Sequence, residues 1–197
     1  MPSRKIDFIN GNFYHIFNRG VDKRDIFLDT DDLSYFVNRL KDFNDINSYG
    51  GARISNLPKY KKLRSPTSKL VEIYAYCLLP NHFHLVVEQK SEGGISKFMQ
   101  KLLTGYTHFF NKKYERSGVL FQGGFKAKEI NDDFYLKNIL IYVTFNHKIH
   151  NISKAFKSSK DDVNIQYKMR KFFEFHDFEE YANSIVETIK LNRDYEY

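Results

Sequence analysis

The segment that most constrains the fold is the run of residues 77–88, which reads CLLPNHFHLVVE. A Pro-Asn pair interrupts its apolar residues and predicts a tight turn between two strands. After the turn, alternate residues face opposite sides of a strand, so His82 and His84 share one face and Phe83 lies on the other. The sequence therefore predicts a hairpin that presents two imidazoles on one face and is anchored in a core through the other.

Two histidines on the same face of a strand are a candidate metal pair. Their bases lie about 7 Å apart, and both side chains can reach one cation at about 2.1 Å per zinc–nitrogen bond. Ligand preference alone favours Zn²⁺ or Mn²⁺ over Mg²⁺ for imidazole ligands. Two polar residues on a solvated face give the same pattern, so the pair alone does not establish a metal site.

The charge balance of the chain suits a polyanionic partner. Among 197 residues there are 31 Lys and Arg and 24 Asp and Glu, which gives a formal net charge of +7. Nucleic acid fits this balance, and the 14 Tyr and 19 Phe can stack on bases as well as pack in a core. Solubility alone is the other explanation of a basic chain. The single cysteine, Cys77, excludes an internal disulfide and fits a reducing cytoplasm, and no apolar run approaches the length of a membrane span.

The hydrophobic periodicities predict seven elements in the order strand, helix, strand, strand, helix, strand, helix. This order is typical of an α+β fold, a ferredoxin-like or RRM-like antiparallel sheet with helices packed on one face, and it leaves the other face for a ligand. The predicted strands are 13–18, 70–79, 82–89 and 119–130, and the predicted helices begin at Asp29 or Thr30, after Gly94, and at Asn131 or Asp132.

The rest of the chain divides into a loop and a tail. Residues 47–69 combine Gly, Ser and Pro with several lysines and predict a basic loop, either a clamp on a phosphate backbone or a solvated insertion. Residues 1–150 are expected to form the main domain, and residues 151–197 a helical C-terminal extension. In the last helix of the main domain, Tyr142 and Asn146 lie one turn apart and project together.

Four motifs occur in the order found in a known family. They are YHIFNRG at 14–20, AYCLLPNHFHLVV at 75–87, GVLFQGGFK at 118–126 and YVTFN at 142–146. Together they resemble the single-tyrosine HUH transposases of the IS200-like superfamily, and more narrowly the REP-associated tyrosine transposases. The resemblance spans about residues 8–150. One departure is His147, because the family usually has proline after the asparagine.

The resemblance implies an enzyme that cuts and rejoins single-stranded DNA. In that family a histidine pair binds Mg²⁺ or Mn²⁺, which corresponds here to His82 and His84, with Asn146 as the polar residue near the metal. Tyr142 corresponds to the nucleophile, which forms a 5′-phosphotyrosine link and leaves a free 3′-OH. The expected partner is single-stranded DNA carrying hairpins or repeats, bound by a monomer or a homodimer.

Basic residues near these motifs are the expected DNA contacts, because binding to phosphates needs positive charge. They are Arg19, Lys23, Arg24, Arg116, Lys126, Lys128, His147 and Lys148.

Three other functions are compatible with parts of the sequence. A non-catalytic RRM-like nucleic-acid binder explains the charge and the aromatic content, but it gives no reason for the histidine pair together with Tyr142 and Asn146. A domesticated transposase would bind DNA hairpins without cutting them. A histidine-dependent phosphodiesterase usually has a second histidine motif, which this sequence lacks.

Overall fold

A computed structural model of the protein describes residues 6–46 and 69–149. It confirms the predicted order of strands and helices, with a short 3-10 turn added at Val21–Lys23. Residues 47–68 of the predicted basic loop and the predicted helical extension at 151–197 lie outside the described residues. The elements are β1 (Phe13–Arg19), α1 (Thr30–Asp42), β2 (Val71–Leu79), β3 (His82–Gln89), α2 (Gly94–Lys113), β4 (Lys126–Ile130) and α3 (Asp133–Ile149).

The four strands form one sheet in the order β2-β3-β1-β4. Each neighbouring pair is antiparallel, and β2 and β3 are joined through the predicted turn. This order, with α1 between β1 and β2 and α2 between β3 and β4, is the ferredoxin-like arrangement. The predicted α+β fold is therefore confirmed, and β1 and β3 form the centre of the sheet.

The helices occupy both faces of the sheet. On one face, Phe83 of β3 packs against Phe36 of α1, with ring centroids 5.2 Å apart, and Tyr106 of α2 packs against the same Phe36 ring at 5.1 Å. On the other face, His84 lies beside Tyr142 of α3. Because adjacent residues of a strand point to opposite faces, α1 and α2 share one face and α3 covers the histidine face.

An ion cluster ties the start of α1 to the end of α2. The side chain of Asp29 caps α1, accepting hydrogen bonds from two backbone amides in a capping box with Asp32. Lys113 Nζ lies 2.6 Å from Asp29 Oδ1 and 2.8 Å from Asp32 Oδ1, and Tyr114 donates its hydroxyl to Asp32. The hydrogen bond from Lys113 lowers the pKa of the Asp29 carboxyl to about 2.

The fourth strand is shorter than predicted. The prediction of a strand over 119–130 is wrong for residues 119–125, because β4 begins only at Lys126. The earlier residues cross the end of β1 as a loop, held by the isolated bridge between Gly20 and Phe121. Gly118 and Gly123 have φ angles of +85° and +71°, which an extended strand does not contain.

We expect the substitution Gly105→Ala to destabilise the fold. A Cβ atom at this position of α2 would lie 2.7 Å from Cε2 of the buried Phe43 ring. Overpacking of this kind costs about 1–3 kcal/mol, whereas the gain in helix propensity is about 1 kcal/mol. The free energy of unfolding in urea should fall by up to about 2 kcal/mol on this balance.

The neighbouring substitution Thr104→Ala is the control, since Thr104 is exposed and the change improves helix propensity without a contact. Its free energy of unfolding should stay level or rise slightly. A Gly105→Ala protein more stable than the unmodified chain would contradict the close approach of α1 and α2. The double variant Gly105→Ala/Phe43→Leu should lose less than the sum of its single variants.

Candidate active site

Three imidazoles meet on the face of the sheet that α3 covers. His82 and His84 come from β3, and their ring centroids are 5.0 Å apart. The third is His15 of β1, whose Nε2 lies 2.9 Å from Nδ1 of His84. The predicted histidine pair is therefore present on one face, and it is extended by a residue of the neighbouring strand.

His15 was not among the predicted site residues. Alternation along Phe13–Arg19 places His15 on the same face as Phe17. This alternation was the only sequence signal for the direction of the His15 side chain. The contact with His84 depends on the pairing of β1 with β3, where His15 lies opposite Val86 and Phe17 lies opposite His84. This register is a tertiary feature, so the sequence pattern alone could not supply the third histidine.

Burial separates the three histidines. His15 is 1% exposed and His84 is 4% exposed, while His82 is only partly buried. The prediction that helices pack on one face and leave the other face for a ligand is wrong at His84, because α3 packs over β2 and β3 on the histidine face. Burial, together with the positive charge of Lys128, lowers the pKa of His15 to about 4, so this ring is neutral at pH 7.

The predicted nucleophile lies against the imidazoles. The Tyr142 ring stands edge-on to the His84 ring at 5.8 Å and to the His15 ring at 6.5 Å, measured between centroids. Tyr142 is 7% exposed. The helix is held in this position by its buried apolar stripe, which comprises Leu136, Ile139, Leu140 and Val143. The side chains of Asn146, His147 and Lys148 lie outside the described residues, although all three belong to α3.

Each histidine of β3 has a hydrogen-bond partner at Nδ1. His82 Nδ1 lies 2.6 Å from Asn81 Oδ1, and Asn81 in turn donates to the carbonyl of Lys23. His84 Nδ1 contacts His15, as described above. In both rings Nδ1 is therefore engaged by a neighbouring side chain.

The distance between the two rings fits a shared cation. Two Nε2 atoms bound to one ion at about 2.1 Å lie no more than about 4.2 Å apart, which ring centroids 5.0 Å apart allow. Within residues 6–46 and 69–149, no group of three or more His, Cys, Asp or Glu side chains is arranged to hold a metal. His82 and His84 can therefore supply two ligands, and a complete site needs a donor of another kind, such as the predicted Asn146.

Three of the predicted DNA-binding cations lie on the histidine face. Arg19 ends β1 directly opposite His82 in the β1–β3 register, and its Nε donates to Gln122 Oε1. The two terminal nitrogens of Arg19 have no partner among the residues that the structure describes. Lys126 and Lys128 are exposed on β4, on the same face as His15. Lys128 Nζ lies 4.9 Å from the centre of the Tyr135 ring.

The other predicted DNA contacts are more dispersed. Lys23 and Arg24 are exposed on the turn after β1, next to Asn81. Arg116 lies in the connection from α2 to β4, where its guanidinium donates to Asn111 Oδ1 at 2.7 Å and to the Val119 carbonyl at 3.1 Å. These bonds hold Arg116 in the loop, and the structure does not bring it to the histidines.

None of the helices within residues 6–46 and 69–149 combines the length and the apolar character needed to cross a membrane.

Comparison with known proteins finds similarity to one family of transposases. Residues 59–146 match the family model described as "Transposase IS200 like", and no curated protein matches the chain. A solved structure titled "Structure of the REP associates tyrosine transposase bound to a REP hairpin" is similar, with a TM-score of 0.56 and 18% sequence identity. The similarity covers 83% of this chain and 86% of that chain, and at this identity it shows a shared fold. The segment matched by the family model contains the histidine pair, Tyr142 and Asn146, so this part of the chain is similar to the IS200-like transposases.

Proposed function

We propose that this protein cuts and rejoins single-stranded DNA in a divalent-metal-dependent transesterification, with Tyr142 as the nucleophile. The observation that carries the proposal is the placement of the Tyr142 ring beside His84 and His15, at 5.8 and 6.5 Å. A protein that only binds nucleic acid does not need a tyrosine beside a candidate metal pair, so this combination favours an enzyme. The family match supports the same class of reaction.

The proposed step is an exchange of phosphate esters. Tyr142 Oη attacks the phosphorus of a phosphodiester, the bond from phosphorus to the 3′ oxygen breaks, and that oxygen leaves as a 3′-OH. The product is a 5′-phosphotyrosine, so the ester is conserved and a 3′-OH can later reverse the step. The phenol proton must leave during attack, since tyrosine has an ordinary pKa near 10.

The two histidines of β3 are proposed to hold the metal. His82 and His84 would bind it through Nε2, because their Nδ1 atoms are engaged by Asn81 and His15. Asn146 is the proposed further ligand, one helical turn after Tyr142. When bound, Mg²⁺ or Mn²⁺ would polarise the scissile phosphate and stabilise the negative charge that develops on it.

The cations on the same face are proposed to hold the DNA backbone. Arg19 lies at the His82 end of the sheet, and Lys126 and Lys128 lie along the edge strand β4. A strand of DNA that contacts Arg19 would lie next to His82, which is only partly buried. The preferred substrate is proposed to be a hairpin with an unpaired flank, since the similar solved structure is described as bound to a REP hairpin. Such a protein would work on DNA in the cytoplasm.

Removal of the Tyr142 hydroxyl should abolish cleavage. The substitution Tyr142→Phe keeps the ring that packs beside His84, so folding and DNA binding should change little. No covalent protein–DNA product should form, because a phenyl ring cannot attack phosphorus. The measurement is incubation with Mn²⁺ and labelled single-stranded fragments from the locus of the gene, followed by denaturing electrophoresis.

The matched control is Tyr135→Phe, which removes a hydroxyl two turns earlier on α3. This variant should retain cleavage, and mass spectrometry of the unmodified protein should place the nucleotide on the peptide with Tyr142. An adduct on another tyrosine would identify a different nucleophile. Tight hairpin binding with no adduct on any tyrosine would favour a binding protein that does not cut.

Loss of the two β4 lysines should weaken DNA binding and reduce its salt dependence. The double substitution Lys126→Gln/Lys128→Gln removes two exposed cations from the histidine face. The slope of log affinity against log salt should become shallower by about 2, or about 1 for each lost phosphate contact. Fluorescence anisotropy with a labelled hairpin, measured at several salt concentrations, gives this slope.

The control is Lys41→Gln/Lys112→Gln, which removes the same charge from exposed positions of α1 and α2. These helices lie on the opposite face, so the slope should remain that of the unmodified protein. An equal loss in both double variants would show that net charge, and not the histidine face, governs binding.

A further inference from the structure

We propose that His15 is a positioning residue: its Nε2 accepts a hydrogen bond from Nδ1–H of His84 and thereby fixes the His84 ring with Nε2 directed to the metal. The inference rests on the proposed metal-dependent function. It assigns a role to a histidine outside the H-x-H pair and on a different strand.

The geometry is that of an in-plane hydrogen bond between two rings. His15 Nε2 and His84 Nδ1 are 2.9 Å apart, and the ring planes are inclined by only 18°. The ring centroids are 5.1 Å apart, so the rings meet edge to edge and the N–H of one imidazole points along the lone pair of the other. Both side chains are buried, so a bond between them is not in competition with bulk water.

Metal binding through Nε2 of His84 requires the shared proton to lie on Nδ1 of His84. A neutral imidazole has one N–H donor and one acceptor nitrogen. If His15 donated to His84 Nδ1, the proton of His84 would lie on Nε2, and that nitrogen could not bind a cation. If His84 donates from Nδ1, its Nε2 carries the lone pair that a metal needs. His15 must then be neutral, with its own proton on Nδ1, and its deep burial is consistent with a neutral ring.

Each of the two proposed metal ligands is oriented by a hydrogen-bond partner at Nδ1. Asn81 Oδ1 lies 2.6 Å from His82 Nδ1 and serves the same purpose for that ring. The turn before β3 therefore orients one ligand, and the neighbouring strand β1 orients the other. A hydrogen-bond partner behind a metal-bound histidine commonly changes metal affinity by 10–100-fold when it is removed.

The test combines a direct view of the proton with metal affinity. In the metal-free full chain labelled with ¹⁵N, long-range ¹H–¹⁵N correlation spectra of the histidine rings report which nitrogen carries the proton. We expect Nδ1 to be protonated in His84. In calorimetric titration with Mn²⁺, His15→Phe should weaken binding by about 10–100-fold, and His15→Gln, whose side-chain oxygen can accept the bond, should recover most of the loss.

Two further variants separate positioning from packing. Phe17→Leu alters a ring 5.9 Å from His84 that offers no acceptor, so it should lower the melting temperature without a comparable loss of Mn²⁺ affinity. His82→Ala should lose Mn²⁺ binding through the loss of a ligand. These variants are compared at equal temperature, below the melting point of the least stable one.

Several outcomes would overturn the inference. A proton on Nε2 of His84 in the unmodified protein is one, and Mn²⁺ binding by His15→Phe as tight as that of the unmodified protein is another. An equal loss in Phe17→Leu would reduce His15 to a packing residue. A complete absence of Mn²⁺ binding in the unmodified protein would contradict the proposed metal dependence, and the protonation state of His84 in the metal-free chain would still decide the role of His15.

Discussion

Strands β1 and β3 lie side by side at the centre of the sheet, and their antiparallel register decides which side chains meet on the histidine face. It places His15 diagonally across from His84 and Arg19 opposite His82. A slip of one residue would turn one strand's side chains to the other face of the sheet, and a slip of two would separate the hydrogen-bonded imidazoles. The opposite face of β3 carries Phe83 into the aromatic core beneath α1, and this burial opposes any such slip.

The third helix gives the site its second layer. Without α3, the imidazoles of β1 and β3 would be polar groups on a solvated sheet surface, which is the alternative explanation of the H-x-H pattern. With α3 in place, His84 and His15 are almost fully buried and Tyr142 lies edge-on to both. Exclusion of water strengthens the hydrogen bond between the two rings and every charge interaction near them.

Much of the fold followed from local patterns. The start of α1 was predictable because Asp29 is a capping residue before a clear apolar stripe. The β2–β3 hairpin was predictable because turn residues interrupt alternating strands. The start of β4 was not predictable, because residues 119–125 have a strand-like composition. Only their backbone contacts at the end of β1 show that they form a loop. For the site, residue type and spacing selected the H-x-H pair and Tyr142. The contact between His15 and His84 could not be predicted, because it depends on strand register. The burial of His84 could not be predicted either, because it depends on where α3 packs.

The loop between α2 and β4 contacts Arg19 through Gln122. Gln122 donates its backbone N–H to the carbonyl of Arg19, and its side chain receives the hydrogen bond from the guanidinium of the same residue. The histidines, in contrast, are oriented from β1 and from the turn before β3. Substitutions in this loop can therefore change the direction of the Arg19 guanidinium, the proposed DNA contact, while the proposed metal ligands keep their geometry. If the proposed function holds, selection can act on substrate preference and on cleavage separately, so a lineage can change the DNA that it recognises without changing how it cuts.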